Sequence, residues 1–327
     1  MPRVLVAPAY MHQLPGKYRE ILLTAGLEVV YPPKSANIFQ GGDLRVLLEG
    51  IDGVLAGVEP YSRELIEQTN LRVIARHGVG YDSIDVAAAT ERGVAVTITP
   101  GANEDSVAEQ TIAMILAIYR GLISRNREAR SGKWSRTALP RLGGRTLGLI
   151  GFGRIGKAVA RRARALDLKV IVHDPFTSGE TAAQNRIELV ALETLLTSAD
   201  IVSLHAPVTA DTARLINRHT LAQMKSGAIL INTARGGLVD EEALADALKS
   251  GSLYAAGLDV FASEPLPADH PLAQLDNVLL CPHMAGIDEE SLVAMSSMAA
   301  QCLADLLHGR WPEGCVVNDS LRPSWHA

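Results

Sequence analysis

Aromatic residues are scarce, 4% of 327 positions, although apolar residues make up 47%. The core must therefore be built from Val, Ile, Leu and Ala, as buried parallel strands and their covering helices are, and an all-β sandwich is disfavoured. Cysteine is almost missing. Cys281, Cys302 and Cys315 are odd in number and show no CxxC spacing, so neither a disulfide framework nor a zinc site is expected, and a reducing cytoplasm fits. Positive charge is not in excess: 31 Lys and Arg stand against 36 Asp and Glu, a net charge of −5. The electrostatic footprint that nucleic acid or an anionic membrane demands is thus absent, and a small molecule is the expected partner. Long apolar runs are absent too. The longest, Ile112–Tyr119, falls far short of the ~20 residues of a bilayer span, and Met1–Pro8 does not read as a targeting segment. No fixed short repeat or low-complexity tract stands out.

The length exceeds what one core usually holds, ~250 to 300 residues, and suits two α/β domains. Short apolar runs recur at Val4–Ala7, Gly53–Ala56, Val73–Ala75 and Val94–Thr97, with helix-length segments between them. From Pro100 to Trp134 a helical pattern, with a basic tail Arg120–Arg130, reads as a bridge. A second alternation follows through Thr146–Ile150, Val170–His173, Ile201–Leu204, Ala228–Asn232, Ala255–Val260 and Val278–Cys281. The expected fold class is α/β, with two Rossmann-like or flavodoxin-like domains, each a doubly wound parallel sheet, and a cleft between them. The helix Glu289–Leu307 follows the second sheet and is long enough to return to the first domain. The expected domains are therefore 1–100 completed by 288–327, and 101–287.

Gly151-Phe152-Gly153-Arg154-Ile155-Gly156 directly follows an apolar strand and opens a helix with Ile155, Val159, Ala163 and Leu166 on its inner face. Alone, a Gly-x-Gly-x-x-Gly string is often only a tight turn. Here the strand before it, the helix after it and Asp174 about twenty residues on form the dinucleotide-binding context. Gly151 can make the turn, Gly153 admits a pyrophosphate and Gly156 allows close helix–strand packing, while the helix N-terminus attracts the anion. Asp174 suits the ribose hydroxyls and repels a 2′-phosphate, so NAD is expected over NADP.

Three polar segments sit at strand ends of this same domain, where open α/β sheets bind ligands. Asn232-Thr233-Ala234-Arg235-Gly236-Gly237 follows one strand, Asp259 ends the next with Glu264 beyond it, and Pro282-His283-Met284-Ala285-Gly286 follows the third. Reduction of a 2-keto acid needs a cation for the carboxylate and carbonyl and an acid for the oxygen. Arg235 offers a planar fork and His283 a group that titrates near neutrality; a carboxylate at Glu264 favours the imidazolium. Each residue alone is more simply a cap or a satisfied core group. Their placement at successive strand ends beside a cofactor turn points to chemistry.

Arg76-His77-Gly78-Val79-Gly80-Tyr81-Asp82, Thr99-Pro100-Gly101-Ala102-Asn103, Leu149–Gly156, Ile231–Asp240, Gly257–Pro265 and Pro282–Gly286 resemble the D-isomer-specific 2-hydroxyacid dehydrogenase family, closest in look to its phosphoglycerate dehydrogenase branch, nearly end to end. The resemblance implies catalysis by Arg235, Glu264 and His283. It implies NAD contacts at Gly151, Gly153, Arg154, Ile155, Gly156, Asp174, Pro207, Thr212, Thr233, Asp259 (at the nicotinamide carboxamide), Gly286 and Ser106. It further implies substrate contacts at Gly78, Val79 and Gly80 through backbone N–H groups, and at Arg235 and His283, with 1–100 plus 288–327 as the substrate domain and 101–287 as the NAD domain. His77 replaces a residue that is often small in the family; it either touches substrate or lines a cleft wall. Family members are usually homodimers paired through their cofactor domains, with the active site in the cleft.

Two departures bear on the substrate. Phosphoglycerate enzymes tend to carry an Arg-Ser pair where this chain has Ala56-Gly57 followed by Glu59-Pro60, so one phosphate-binding cation is missing, although Arg136 matches a family arginine near the same site. The length also leaves no room for a regulatory C-terminal domain. The expected activity is therefore NAD-dependent hydride transfer at C2 of a small 2-hydroxy or 2-keto acid, 3-phosphoglycerate among the candidates, with a glyoxylate or hydroxypyruvate reductase as the alternative. Glu264 argues against a formate dehydrogenase, whose pattern has glutamine there. A non-catalytic NAD-sensing corepressor-like protein is the reading from a different class, since fold alone does not fix use.

Overall fold

The computed structural model describes residues 1–13, 16–38 and 41–325. Positions 14, 15, 39, 40, 326 and 327, all within the stretches assigned above to the first domain, lie outside the described residues. The chain divides into two compact units, Met1–Asn103 with Asp288–Ala327 and Glu104–Ile287.

The first unit contains β1 (Arg3–Val6), β2 (Glu28–Val30), β3 (Gly53–Ala56), β4 (Val73–Arg76) and β5 (Ala95–Thr97), paired in parallel in the order β2-β1-β3-β4-β5. Alternation along the strands feeds two cores, one on each face. Leu5, Val54, Ala56, Ile74 and Val96 pack with Leu44, Leu48, Tyr61, Leu65 and Ile66. Val4, Val6, Leu55, Val73 and Ala75 pack with Tyr18, Leu22 and, from the helix Glu289–Leu307, Leu303, Leu306 and Leu307. This is the double coverage that parallel strands require. The segment after that helix lies along the open edge of β5, where Ile98 N–H donates to the Cys315 carbonyl at 2.9 Å and Val317 N–H to that of Val96 at 2.8 Å. Buried Asn318 completes the seam, accepting from Val96 N–H at 2.9 Å and donating to the Val94 carbonyl at 2.9 Å. An edge that would otherwise present free backbone groups is thereby closed.

The second unit contains β6 (Thr146–Ile150), β7 (Lys169–His173), β8 (Glu188–Leu189), β9 (Ile201–Leu204), β10 (Ala228–Asn232), β11 (Leu253–Leu258) and β12 (Val278–Leu280). They form one parallel sheet of order β12-β11-β10-β9-β6-β7-β8. The order reverses between β6 and β9, so the ends of these two strands frame the crevice in which doubly wound sheets bind ligands. Both sheets are the parallel α/β sheets expected from the alternation. Two edge strands escaped it: β2 is a three-residue strand with no fully buried side chain and β8 only two residues long, too short and too wet to carry an apolar run. The expected bridge is two helices, Glu104–Tyr119 and Leu122–Arg130. Gly121 separates them at φ +57, a left-handed conformation that glycine adopts without strain. Among the described residues no single helix is long and apolar enough to cross a membrane.

Candidate active site

β6 delivers the chain to Gly151, whose φ of +94 turns it sharply. A Cβ there would lie 2.6 Å from the His205 carbonyl carbon after β9, and one on Gly156 would lie 2.5 Å from the Gly151 oxygen. Both positions are closed to any side chain. Gly153 differs, since a Cβ there would meet nothing within 4 Å. It precedes the helix Arg154–Ala165 without any side-chain cap, so the first-turn N–H groups and the helix dipole are presented to an anion. Arg154 is exposed and Ile155 half-buried at this entrance. Asp174, just past β7, folds onto the turn: its Oδ2 accepts from Phe152 N–H at 2.7 Å and its Oδ1 from Phe176 N–H at 2.8 Å. A carboxylate accepts about four hydrogen bonds, so capacity remains for two hydroxyls. These features fit a dinucleotide diphosphate and ribose. Gly156→Ala is therefore expected to lose about 1 to 3 kcal/mol of stability by overpacking, seen as a lower Tm. Gly153→Ala should keep the wild-type Tm and weaken NADH binding in a fluorescence titration; unaltered binding would place the anion elsewhere.

The loop after β9 brings together two further expected contacts, with Thr212 Oγ1 donating to the Pro207 carbonyl at 2.7 Å. His205 in this loop went unnoticed in the sequence. Burial lowers its pKa to about 4, and its Nε2 lies 2.9 Å from Ser203 Oγ, so it is a neutral ring at the switch point. Thr233 is buried, its hydroxyl 2.9 Å from that of Thr111.

After β10, Asn232 shapes the arginine turn, donating from Nδ2 to the Arg235 carbonyl at 2.8 Å and accepting Ala234 N–H at 3.0 Å. Arg235 Nη1 donates to the Ala234 carbonyl at 2.6 Å. The next residue, Gly236, sits directly on the Phe261–Ala262 peptide, since a Cβ would lie 1.9 Å from the Phe261 carbonyl carbon. That peptide leads to Glu264, whose Oε1 accepts Phe261 N–H at 2.9 Å and whose Oε2 lies 2.7 Å from His283 Nδ1. Glu241 braces the same loop, accepting Ala262 N–H at 2.7 Å and pairing with His270 Nε2 at 3.3 Å.

His283 is held at φ +51, sparsely populated for a side chain of this size. Asp259 fixes it there. The Asp259 carbonyl accepts His283 N–H at 2.8 Å, and its buried carboxylate accepts Met284 N–H at 3.0 Å and Ala285 N–H at 2.8 Å. Burial raises the Asp259 carboxyl above the usual range against the pull of those two N–H groups. Asp259 was expected at the nicotinamide carboxamide; both of its oxygens are engaged in folding the histidine loop. Ser106 is tied to the same loop, donating to the Ala285 carbonyl at 2.8 Å, and Gly286 follows in that turn.

Burial would raise the Glu264 carboxyl, but the hydrogen bonds from His283 and Phe261 and the charges of His283 and Arg235 outweigh it and hold Glu264 below the ordinary carboxylate range. Arg235, Glu264 and His283 therefore share one electrostatic site. With Glu264 ionised, His283 Nδ1 is the donor to it and Nε2 is left to exchange a proton with a ligand. Glu264→Gln removes the carboxylate that accepts the His283 Nδ1 proton, so kcat/KM for reduction is expected to fall by about 100-fold; an unchanged kcat/KM would mean that the pair plays no part in proton transfer.

In the first unit, His77 and the loop Gly78-Val79-Gly80 follow β4. Gly78 has φ +138, and a Cβ there would approach the Arg76 guanidinium to 3.0 Å. Burial first, then the Arg76 charge, lower the His77 pKa to about 4. Arg136 lies in an exposed stretch without regular structure. Among the described residues no group of three or more His, Cys, Asp or Glu side chains could hold a metal ion. Asn232, Glu241 and His270 had no sequence signal beyond their proximity to the motifs, because their contribution is a hydrogen bond formed only after folding.

Residues 112–285 match the family described as D-isomer specific 2-hydroxyacid dehydrogenase, NAD binding domain. The chain is 44% identical over 261 residues to a glyoxylate reductase of Thermofilum pendens, covering 77% of each protein. It is 42% identical over 257 residues to a D-3-phosphoglycerate dehydrogenase of Archaeoglobus fulgidus, covering 78% of this chain and 49% of that one, so the chain spans about half the length of that relative. A solved D-lactate dehydrogenase of Aquifex aeolicus, complexed with NAD and lactic acid, superposes with a TM-score of 0.84 at 29% identity, over 96% of this chain and 98% of the other. A glycine turn closed against β9, an acid folded onto that turn, and an arginine, glutamate and histidine gathered at neighbouring strand ends thus coincide with these likenesses, and the chain belongs to the D-isomer specific 2-hydroxyacid dehydrogenase family, with an NAD-binding domain.

Proposed function

We propose that the protein is an NAD-dependent dehydrogenase of a small D-2-hydroxy acid, with Arg235, Glu264 and His283 as its catalytic residues. The observation that carries this reading is the 2.7 Å contact between His283 Nδ1 and Glu264 Oε2, with the Arg235 charge acting on the same carboxylate. Bound NAD supplies the hydride acceptor, or as NADH the donor, at its nicotinamide ring. Gly151, Gly153, Arg154, Ile155 and Gly156 would hold its diphosphate, Asp174 its ribose, and Ser106, Pro207, Thr212, Thr233, Asp259 and Gly286 would line the rest of its path. Arg235 grips the substrate carboxylate and polarises the carbonyl, as a planar guanidinium can. His283 Nε2 then gives its proton to the carbonyl oxygen, and Glu264 stabilises the charged ring beforehand; in the oxidative direction the neutral ring takes the proton back. On the unit 1–103 plus 288–327, His77, Gly78, Val79 and Gly80 would bind substrate, which makes that unit the substrate domain.

The test is NADH oxidation by the purified protein with glyoxylate, pyruvate, hydroxypyruvate, phosphohydroxypyruvate and oxaloacetate. Turnover of at least one is expected. NADH binding without turnover of any would leave a nucleotide-sensing role instead. Asp174→Ala should narrow the preference for NADH over NADPH by about tenfold, since the like-charge contact with a 2′-phosphate is gone.

A homodimer in the cytoplasm completes the proposal. The helix Leu122–Arg130 has no buried residue, and Leu122 and Ile123 are each 53% exposed, an apolar surface suited to a second copy. The free state of Cys281, Cys302 and Cys315 suits a reducing compartment. Sedimentation of the Leu122→Glu, Ile123→Glu double variant as a monomer beside a dimeric parent would support the interface.

A further inference from the structure

Glu264 stands on a segment that regular structure does not hold. Between β11 and β12, residues 261–270 form neither helix nor strand, and positions 262–265 and 267–269 are exposed. Leu266 alone in that exposed stretch is half-buried, against the core of the unit 104–287. Loops of this kind open locally at little cost. Yet this one carries a carboxylate that meets His283 at 2.7 Å, so something other than secondary structure must fix it.

Glu241 does so from the arginine turn. It opens the helix Glu241–Ser250, whose N-cap Asp240 accepts Ala243 N–H at 3.0 Å. Its Oε1 accepts Ala262 N–H at 2.7 Å, and its Oε2 lies 3.3 Å from His270 Nε2. One carboxylate thus meets both ends of the segment. The imidazole has a defined orientation: Leu272 N–H donates to His270 Nδ1 at 3.3 Å, so Nδ1 holds a lone pair and the proton of the neutral ring sits on Nε2, facing Glu241. The side chains are 12% exposed at Glu241 and 21% at His270, which strengthens their contact relative to a pair in open water. The stretch 235–241 also presses Gly236 against the Phe261–Ala262 peptide. That peptide is therefore held between Gly236 and Glu241, and the register of Glu264 relative to Arg235 is set from both sides.

We propose that Glu241, by clasping the segment at residues 262 and 270, is a positioning residue of the reaction that holds Glu264 in register with Arg235 and His283. The inference rests on the dehydrogenase reading, and every group in it belongs to the unit 104–287. Opening the clasp removes no reacting group. It frees Glu264 to move, and a displacement of about 1 Å in a catalytic group can cost about 100-fold in rate.

The experiment measures steady-state kinetics with the best keto acid, NADH binding, and hydrogen–deuterium exchange of residues 261–270 in the parent and its variants. Glu241→Ala is expected to lower kcat by about 100-fold, to leave the NADH dissociation constant within about threefold, and to speed exchange of the segment by about tenfold or more. Glu241→Gln keeps an oxygen for Ala262 N–H but turns an amide NH2 toward His270 Nε2–H, and His270→Gln releases the other end alone; each should lose about tenfold in kcat. These two decide the matter if Glu241→Ala does not fold. A further arm repeats the substitutions in a Glu264→Gln background. A residue that acts through Glu264 should cost about threefold or less there, whereas one that only stabilises the fold should cost the same in both backgrounds. Equal losses in the two backgrounds, near-parental kcat in the folded variants, or unaltered exchange overturns the inference and leaves the dehydrogenase reading intact. A parent that turns over no keto acid removes that reading and the positioning role with it, while faster exchange in Glu241→Ala would still show the clasp.

Discussion

Arg235→Ala is expected to lower kcat/KM for the best keto acid by about a thousandfold while leaving the NADH dissociation constant within about threefold of the parent. The split follows from where the residue sits. Its guanidinium is held on the arginine turn by the Ala234 carbonyl at 2.6 Å, and its charge reaches Glu264, but no feature of the glycine turn depends on it. A shorter side chain removes the fork that binds a carboxylate and the positive charge that stabilises a developing alkoxide, both strongest in the transition state. Arg235→Lys should recover only part of the loss, because one ammonium cannot reproduce a bidentate grip. Steady-state kinetics with a parallel fluorescence titration of NADH would check both halves. Retention of near-parental kcat/KM would remove Arg235 from the site.

Gly236→Ala is expected to be nearly as damaging, although it changes no chemical group. A methyl at 236 would lie 1.9 Å from the Phe261 carbonyl carbon and 2.1 Å from its oxygen, so the backbone from 261 onward must move. Glu264 is fastened to that backbone through Phe261 N–H at 2.9 Å, and His283 is fastened to Glu264. A shift of about 1 Å in a catalytic group can cost about 100-fold in rate, and overpacking costs about 1 to 3 kcal/mol of stability besides. Gly237→Ala is the control. Its nearest neighbour would be Val208 Cγ2 at 3.4 Å, an ordinary contact, so activity and Tm should stay close to the parent. Equal behaviour of the two variants would show that the 236–261 contact does not transmit to the site.

Residues differ in the kind of signal they leave in a sequence. Strands such as β6, β9 and β10 are apolar runs buried on both faces, so their positions are legible. The edge strands β2 and β8, with few apolar side chains, are not. Gly151 and Gly156 are legible because only glycine satisfies their geometry, at φ +94 and at 2.5 Å from a backbone oxygen respectively. The pairing of Glu264 with His283 could be anticipated from residue types, but not the means by which His283 is held. Asp259 is expected at the cofactor from the family resemblance; that it also holds the histidine loop through Met284 and Ala285 N–H is not legible, because those partners lie 25 and 26 residues further along the chain. Glu59 was visible only as a substitute for a cation. Its burial, and its hold on Gly57 N–H at 2.6 Å, belong to the folded chain alone.

The seam that Asn318 makes along β5 also orders events in time. The unit 104–287 is continuous in sequence, whereas the sheet of the other unit lacks one of its covering layers until the helix Glu289–Leu307 and the residues after it have been made. During synthesis, which proceeds from the N-terminus at about 5 to 20 residues per second, the face formed by Val4, Val6, Leu55, Val73 and Ala75, which Tyr18 and Leu22 cover only in part, lacks Leu303, Leu306 and Leu307 until the whole of the intervening unit has been made. The portion translated first is thus the portion completed last.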